Sequence, residues 1–407
     1  MPNSQRLHKS ICVPFCEEEY TTMLADRQAF RAYLQATYQN HPELFPDEIG
    51  KGFRFHGLVS SRKLNLDQRR IRLRNGQVYQ IRPSFVMPYM IAKTHDIEKA
   101  LYLRRFGVPF DALAYVFGRD AMFWYRATVS LARNSLVGTT VKKPRDLPAH
   151  VVADEKHTRR NGDRVYIATT VANGCFLGAE ICEQADTASL TQAYGVFGQE
   201  AKALSADYVP QTVTTDGWQA TDAAFLALFP QVTILLCFLH AFLKLRRRAK
   251  RLKADWTTLR KKLWTAYRAK KRAAFSQRLR RTNEWVGQHI SLDSVRGAMS
   301  RIAANVARYS KAYHHPQAPR TTNMVDRLMN YQDRILFDMQ LFHGTVHSAN
   351  LAARAMALLW NFHPYGLRTR SSAKERVSPF KDLNGFQYHD NWLQNLLIAA
   401  SRAGNPP

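Results

Sequence analysis

A β-branched run, Arg164 to Val171, and a second, mostly apolar run, Cys175 to Ile181, flank an Asn173-Gly174 pair. A two-residue turn needs positive φ at both central positions, which Asn and Gly tolerate, so the pair predicts an antiparallel hairpin. That hairpin constrains its neighbours. Upstream, His150-Val151-Val152-Ala153 reads as a strand entering Asp154-Glu155. Downstream, Thr187 is placed to cap a helix running to about Leu204, and Gln211 to Thr215 reads as a strand entering Asp216-Gly217. Gln219 to Leu228 reads as a helix and Val232 to Cys237 as a buried strand. Three strands, then helix, strand, helix, strand predict an α/β fold with a mixed five-stranded sheet.

The charge balance narrows the partners. The 407 residues carry 59 Lys and Arg against 32 Asp and Glu, a formal charge of +27. Such an excess attracts polyanions, and displacement of counterions from phosphates makes nucleic acid the leading partner, ahead of an anionic membrane or a ribosome. With 45% hydrophobic residues the chain can bury real cores, so disorder does not explain the charge. No apolar run reaches the roughly 18 residues of a membrane span. Met1 to Lys9 lacks the apolar stretch of a secretory signal, and five scattered cysteines give no disulfide framework. The expectation is a soluble, intracellular protein.

Residues 1–90 read as a small α/β region. Phe30 to Tyr38 has helical apolar spacing ended by His41-Pro42. Arg70-Ile71-Arg72-Leu73-Arg74 and Val78 to Ile81 flank Asn75-Gly76, a second hairpin signal with one basic face. Cys12 and Cys16 form a lone C-x3-C, with His8 and His41 as the only other candidate ligands. Without a second cysteine pair they read as buried thiols rather than a zinc site. Residues 91–141 give helix, Gly107 turn, short helix, Gly118 turn and longer helix, a helix-turn-helix pattern whose alternative is a plain three-helix linker. The last helix would offer Arg119, Tyr125 and Arg126 to a DNA major groove. Lys142 to Pro148 reads as a linker by composition.

From Lys244 to Arg281 the pattern is helical and intensely basic. Arg246, Arg247, Arg248, Lys250, Arg251, Lys261, Lys262, Lys270, Lys271 and Arg272 accompany a single acid, Asp255. Leu259, Leu263, Trp264, Tyr267 and Phe275 fall between them at roughly helical spacing, an apolar face beneath a cationic one. A face of one sign repels itself until a polyanion neutralises it, so the segment reads as a surface tracking a DNA backbone. Trp256, Trp264 and Trp285 read first as helical core, with stacking on an unpaired base as the alternative.

Asp154 and Asp216 stand at the ends of predicted strands, and Asp326 near the start of a predicted helix from Asn323. Singly each is weak, because Asp is common in turns and in the first turn of helices. Together they suit phosphodiester chemistry, where two divalent ions held by carboxylates activate the attacking oxygen and stabilise the leaving one. Oxygen ligands point to Mg²⁺, with Mn²⁺ as substitute. The parts of competing chemistries are absent from the sequence, which has no phosphate-binding G-x4-G-K-S/T loop, deaminase zinc motif or G-x-S-x-G elbow. Cys237 and His240 alone do not make a zinc site.

At these residues the chain resembles the DDE transposases of bacterial insertion sequences, in the mutator-like branch whose ribonuclease H-like core carries an all-helical insertion. Val151-Val152-Ala153-Asp154-Glu155 resembles the first-acid motif, and Thr214-Thr215-Asp216-Gly217-Trp218 the second. Cys237-Phe238-Leu239-His240 resembles the C-x2-H after the fifth strand, and Thr321-Thr322-Asn323-Met324-Val325-Asp326 the T-T/S-N-x-x-E motif. The resemblance spans about Ala149 to Trp360. It departs at Asp326, where the family usually has Glu. Asp is one methylene shorter, so its helix must approach the metals more closely, and Asp333 is the nearest rival.

The resemblance implies a core over 149–240, a basic insertion over 241–320, a final core helix within 321–365 and a tail over 366–407. It implies that Asp154, Asp216 and Asp326 hold two Mg²⁺, with Glu155, Lys156, Cys237 and His240 beside them. The activity implied is cleavage and transfer of DNA strands, with double-stranded element ends and target DNA as partners. Self-association in a synaptic complex and a cytoplasmic, nucleoid-associated location follow, with no membrane. A non-catalytic DNA-binding derivative and a ribonuclease H-like nuclease without strand transfer are the alternatives. The apolar stretch Leu393 to Ala400 reads as a helix that caps the core or mediates self-association.

Overall fold

The computed structural model describes residues 10–372 and 375–402. The first sheet contains β1 (Ser10–Val13), β2 (Phe53–Ser61), β3 (Leu66–Leu73) and β4 (Val78–Pro83), in the order β1-β4-β3-β2. The β3–β4 hairpin forms as predicted, but with positive φ at Gly76 (+82°) and not at Asn75, because Leu73 N–H bonds the Gln77 carbonyl at 2.9 Å and leaves Arg74-Asn75-Gly76 as a three-residue turn. Between β1 and β2 run α1 (Glu17–Ala25) and α2 (Arg27–Asn40). Asp26 caps α2 by accepting from the backbone of Gln28 and Ala29 at 2.8 and 3.0 Å, and Phe30 and Leu34 are fully buried. Cys12 is buried but Cys16, preceding α1, is exposed, so only one of the two is a core thiol. His8 lies outside the described residues.

Next come α3 (Thr94–Arg104), α4 (Phe110–Phe117), α5 (Ala121–Ser130) and α6 (Leu136–Thr140), with positive φ at Gly107, Gly118 and Arg119. The helix and turn order is the expected one, and of the three side chains expected to be exposed only Tyr125 is partly covered. Arg119 and Arg126 are exposed and Tyr125 lies half-buried, edge-on to Phe110, whereas Trp124 and Ala127 to Ser130 are buried. The hydrophobic side of α5 is used by the core, leaving its first turns outside. Lys142 is also not linker. It is buried, and its Nζ donates to the carbonyls of Gly138 and Ala399 at 2.8 and 2.7 Å.

The main sheet holds β5 (His150–Arg160), β6 (Asp163–Ala172), β7 (Cys175–Cys182), β8 (Thr212–Thr215) and β9 (Thr233–Leu236) in the order β7-β6-β5-β8-β9. β6 is antiparallel to both neighbours, and β5, β8 and β9 are parallel, so the chain is α/β with a mixed five-stranded sheet. β5 runs to Arg160 instead of ending at Ala153, because Asn161-Gly162 (φ 51° and 90°) repeats the turn geometry of Asn173-Gly174 (φ 50° and 80°). α7 (Thr187–Leu204) and α8 (Gln219–Leu228) fill the crossovers. The α7 cap is Asp186 rather than Thr187, its carboxylate accepting from the Ser189 backbone at 2.9 Å.

After β9 come α9 (Phe238–Arg248), α10 (Lys253–Tyr267), α11 (Arg272–His289), α12 (Asp293–Ala304) and α13 (Val306–Ser310), which enclose an apolar core of their own. The chain then returns with α14 (Asn323–Asp338) and α15 (Val346–Phe362), followed by α16 (Leu367–Ser372), α17 (Pro379–Asn384) and α18 (Trp392–Ala399). Alternation decides the two faces of the main sheet. Val151, Ala153, Ala168 and Leu177 face α7 and α8, whereas Val152, Ile167, Val171 and Phe176 share a core with α14, α15 and the first sheet. Leu393 and Leu396 to Ala399 are buried in α18, which caps that core. Among the described residues no helix is long and apolar enough to cross a membrane.

Candidate metal centre

Strand alternation separates two adjacent acids. Asp154 shares the face of Val152 and looks toward α14, while Glu155 shares that of Ala153 and points the other way. Glu155 is buried and accepts from Tyr194 and Thr221 hydroxyls, both at 2.6 Å, so it braces α7 and α8 and does not join the site. β8 pairs with β5 only along His150 to Val152. Asp154 therefore lies just beyond the last parallel pairing, although its strand continues. Asp216 follows the adjacent end of β8, the position where side chains reach the crevice of an open sheet.

The turn after Asp216 admits only glycine. Gly217 has φ +91°, and a Cβ there would stand 2.4 Å from Leu236 Cδ1. The Trp218 backbone donates to Asp216 Oδ1 at 2.8 Å, which holds the carboxylate, and Lys244 Nζ from α9 lies 3.8 Å from its other oxygen.

Asp326 sits in the first turn of α14 and His240 in the first turn of α9. Asp154, His240 and Asp326 each bring one possible ligand atom to within 4.8 Å of the others, and they form the only such group among the described residues. All three are half-buried. Of the three expected acids, two thus converge with an imidazole, and Asp216 flanks them. Its charge still reaches the group: burial raises the carboxyl of Asp154 to about 7, with the charges of Asp216 and Glu155 adding to the rise. Burial raises Asp326 as well, opposed by His240. Among the described residues neither Asp154 nor Asp326 has an ion-pair partner from Lys or Arg. Two partly desolvated carboxylates with no Lys or Arg partner among the described residues could hold a cation, and if His240 gives up its proton, two oxygens with one nitrogen are compatible with Mn²⁺ as well as Mg²⁺.

Thr322, which the sequence shows only as part of a motif, ties the group together. Its Oγ1 lies 2.9 Å from His240 Nδ1, 3.3 Å from Cys237 Sγ and 3.5 Å from Asp326 Oδ2, and its backbone donates to Cys237 Sγ at 3.2 Å. Cys237 is buried, and there burial raises its thiol, but hydrogen bonds with His240 and Thr322 outweigh burial and leave it below its ordinary value. The bond with Cys237 raises the His240 imidazole to about 9 against the effect of burial, helped by the charges of Asp154 and Asp326. Cys237 and Thr322 thus orient His240 from behind.

Other expected participants lie elsewhere. Lys156 pairs with Asp333 at 2.5 Å, which removes Asp333 as a rival third acid and Lys156 from the centre. Trp256 and Trp264 pack on Phe242, and Trp285 stacks on His289 beneath Lys262, so these rings belong to the helical core. Arg246, Arg247, Arg248, Lys250, Arg251, Lys261, Lys270, Lys271 and Arg272 are exposed. Arg246 to Arg248, Lys261 and Arg272 lie on α9, α10 and α11, whereas Lys250 and Arg251 fall in the short 3-10 turn after α9 and Lys270 and Lys271 between α10 and α11. A cavity of about 330 Å³ starts at Asp216 and is lined by Lys244, Arg248, Arg301 and Arg308, so a cationic cleft opens beside the carboxylates. Arg301 and Arg308 were not distinguishable in the sequence from other basic residues, because only the packing of α12 and α13 brings them to Asp216. No protein-family model and no curated protein matches the sequence.

Proposed function

We propose that the protein is a DNA transposase of the DDE type, acting through a ribonuclease H-like core that is interrupted by the basic helical insertion α9–α13. The observation that carries this reading is the convergence of Asp154, His240 and Asp326 from β5, α9 and α14, with Asp216 at the end of the neighbouring parallel strand. The strand order β7-β6-β5-β8-β9, with only β6 reversed, supports the core assignment. The C-x2-H and T-T-N motifs support it independently, since Cys237, His240, Thr322 and Asp326 are in contact.

In this reading Asp154 and Asp326 would hold divalent metal together with a deprotonated His240, and Asp216 would complete the negative site. The bound ions would supply activation of the attacking oxygen and charge for the leaving one. The residues of the chain do the rest. Thr322 and Cys237 fix the His240 ring. Lys244, Arg248 and Arg301 line the cleft where a phosphate backbone would lie, and the exposed cations of α9–α11 extend it. Asp326 in place of Glu fits because α14 begins at the site, so its first turn needs no longer side chain.

The test is incubation with labelled duplexes from the DNA flanking the gene, with Mg²⁺ or Mn²⁺. Joined strands are expected. Nicking without joining would favour a nuclease, and binding without nicking a DNA-binding derivative. Asp154→Ala and Asp216→Ala should each abolish strand cleavage and leave duplex affinity intact; cleavage surviving either change would overturn the assignment.

A further inference from the structure

The outer face of the first sheet carries a row of arginines with no carboxylate partner among the described residues. Side chains alternate along β3, so Ile71 and Leu73 enter the core while Arg70, Arg72 and, just past the strand, Arg74 face outward. On β2, Arg54 stands directly opposite Arg72 in the ladder. Like charges placed opposite on an antiparallel pair are destabilising. A register shift between Phe55 and Leu58 leaves Gly57 at φ +93°, and a Cβ there would lie 3.6 Å from Arg70 Nη2, which places that guanidinium over the bulge. His56 lies 3.0 Å from Arg72 Nη2; desolvation, then the charges of Arg72 and Arg70, push its imidazole below the ordinary value.

Among the described residues none of Arg54, Arg70, Arg72 and Arg74 has a carboxylate partner. The row does not stop at the strands. Arg62 and Lys63 are exposed in the β2–β3 turn, and Lys63 lines the same groove as Arg119, ahead of α5. The rings of these strands, Phe53, Phe55 and Tyr79, belong to the opposite, core-facing side, so apart from His56 the cationic face offers no aromatic surface. Unpaired bases are held by stacking on rings in addition to cations, whereas a duplex backbone needs cations and other hydrogen-bond donors but no rings.

We propose that this face binds the phosphate backbone of double-stranded DNA, as a track separate from the basic helices α9–α11. It rests on the proposed function only in the choice of DNA as the polyanion. Its test needs neither metal nor strand cleavage.

The full chain carrying Asp154→Ala is titrated with a short duplex of arbitrary sequence at several salt concentrations, alone and with R54Q/R70Q/R72Q. The triple variant should bind about tenfold or more weakly, and its dependence of log affinity on log salt should fall by roughly 0.9 per lost contact. The metal-free triple variant should unfold at the same or a higher temperature, because the Arg54–Arg72 repulsion is gone. R246Q/R247Q/K250Q should lower the salt dependence additively with it. Unchanged affinity and slope would overturn the proposal. So would a fall in thermal stability that accounts for the lost binding, a loss confined to single-stranded DNA, or a loss confined to anionic phosphatidylserine vesicles. Absence of cleavage by the unmodified protein would sink the transposase reading and leave this result standing.

Discussion

Two pairs of carboxylates, each joining a strand of the main sheet to a helix packed on it, meet opposite treatment. At the β7 edge, Glu180 and Glu200 enclose Arg354 from α15. One guanidinium nitrogen binds Glu180, the other binds Glu200 at 2.5 Å, and Glu200 also accepts the Val137 backbone at 2.8 Å. These side chains are at most 9% exposed. Asp154 and Asp326 are instead half-buried and have a single imidazole between them. A structural acid pair is closed by a fixed cation, since removing one partner of a buried pair is costly. The pair at the sheet end has no Lys or Arg partner among the described residues, only the His240 imidazole, and its three ligand atoms lie close enough that they could hold a metal ion.

The contrast can be broken at either cluster. The largest effect is expected at Arg354→Met, which strands two acids in the core and should destabilise the protein by about 3–5 kcal/mol in denaturant unfolding. A cost below about 1 kcal/mol, the scale of an exposed pair, would erase the distinction. Asp154→Asn should do the reverse. Its metal-free unfolding midpoint stays or rises, while stabilisation by Mn²⁺, about 2.7 kcal/mol at a hundredfold excess over the dissociation constant, disappears. Equal Mn²⁺ stabilisation of both proteins would remove Asp154 from the centre.

A smaller effect sharpens the comparison through pH. The carboxyl of Asp154 is raised in the folded state, so folded protein keeps a proton that the unfolded chain releases above its ordinary value of 3.8. On account of this group, metal-free stability is greatest at low pH and declines as pH rises through that window to about 7. Unfolding measured across that range should show a decline that Asp154→Asn lacks; parallel curves would contradict the assigned shift. The smallest effect belongs to Lys156→Met. The Lys156–Asp333 pair is half exposed on the Asp333 side, so its loss should cost no more than about 1 kcal/mol and leave strand cleavage unchanged.

Much of the sheet was legible because its turns are written in local chemistry. Asn75-Gly76 and Asn173-Gly174 set two hairpins, and the limits of α8 agree with its apolar pattern. β5 is longer than its apolar run predicts, although its true end is marked locally, since Asn161-Gly162 is the same turn motif. Composition misled at Lys142, where a basic, Pro-containing stretch reads as linker. Its ammonium is instead enclosed by the carbonyls of Gly138 and Ala399, the latter distant in sequence. The partial cover of Tyr125 by Phe110 was equally invisible, because a helix pattern says which side is apolar and not how much of it a neighbour covers.

At the site, the acids could be picked out individually, and alternation along a strand already implies that Asp154 and Glu155 point apart. Residue order and local periodicity therefore determined the kind of sheet, the cationic character of α9–α11 and the candidate acids. Which groups converge was decided only when β5, α9 and α14 packed together. That step put His240 beside Asp154 and Asp326, left Asp216 at the flank and turned Asp333 away to Lys156. The physical reason is range: turn and helix preferences act over a few neighbouring residues, whereas a shared cation site depends on ångström-scale distances between segments that only the folded core fixes.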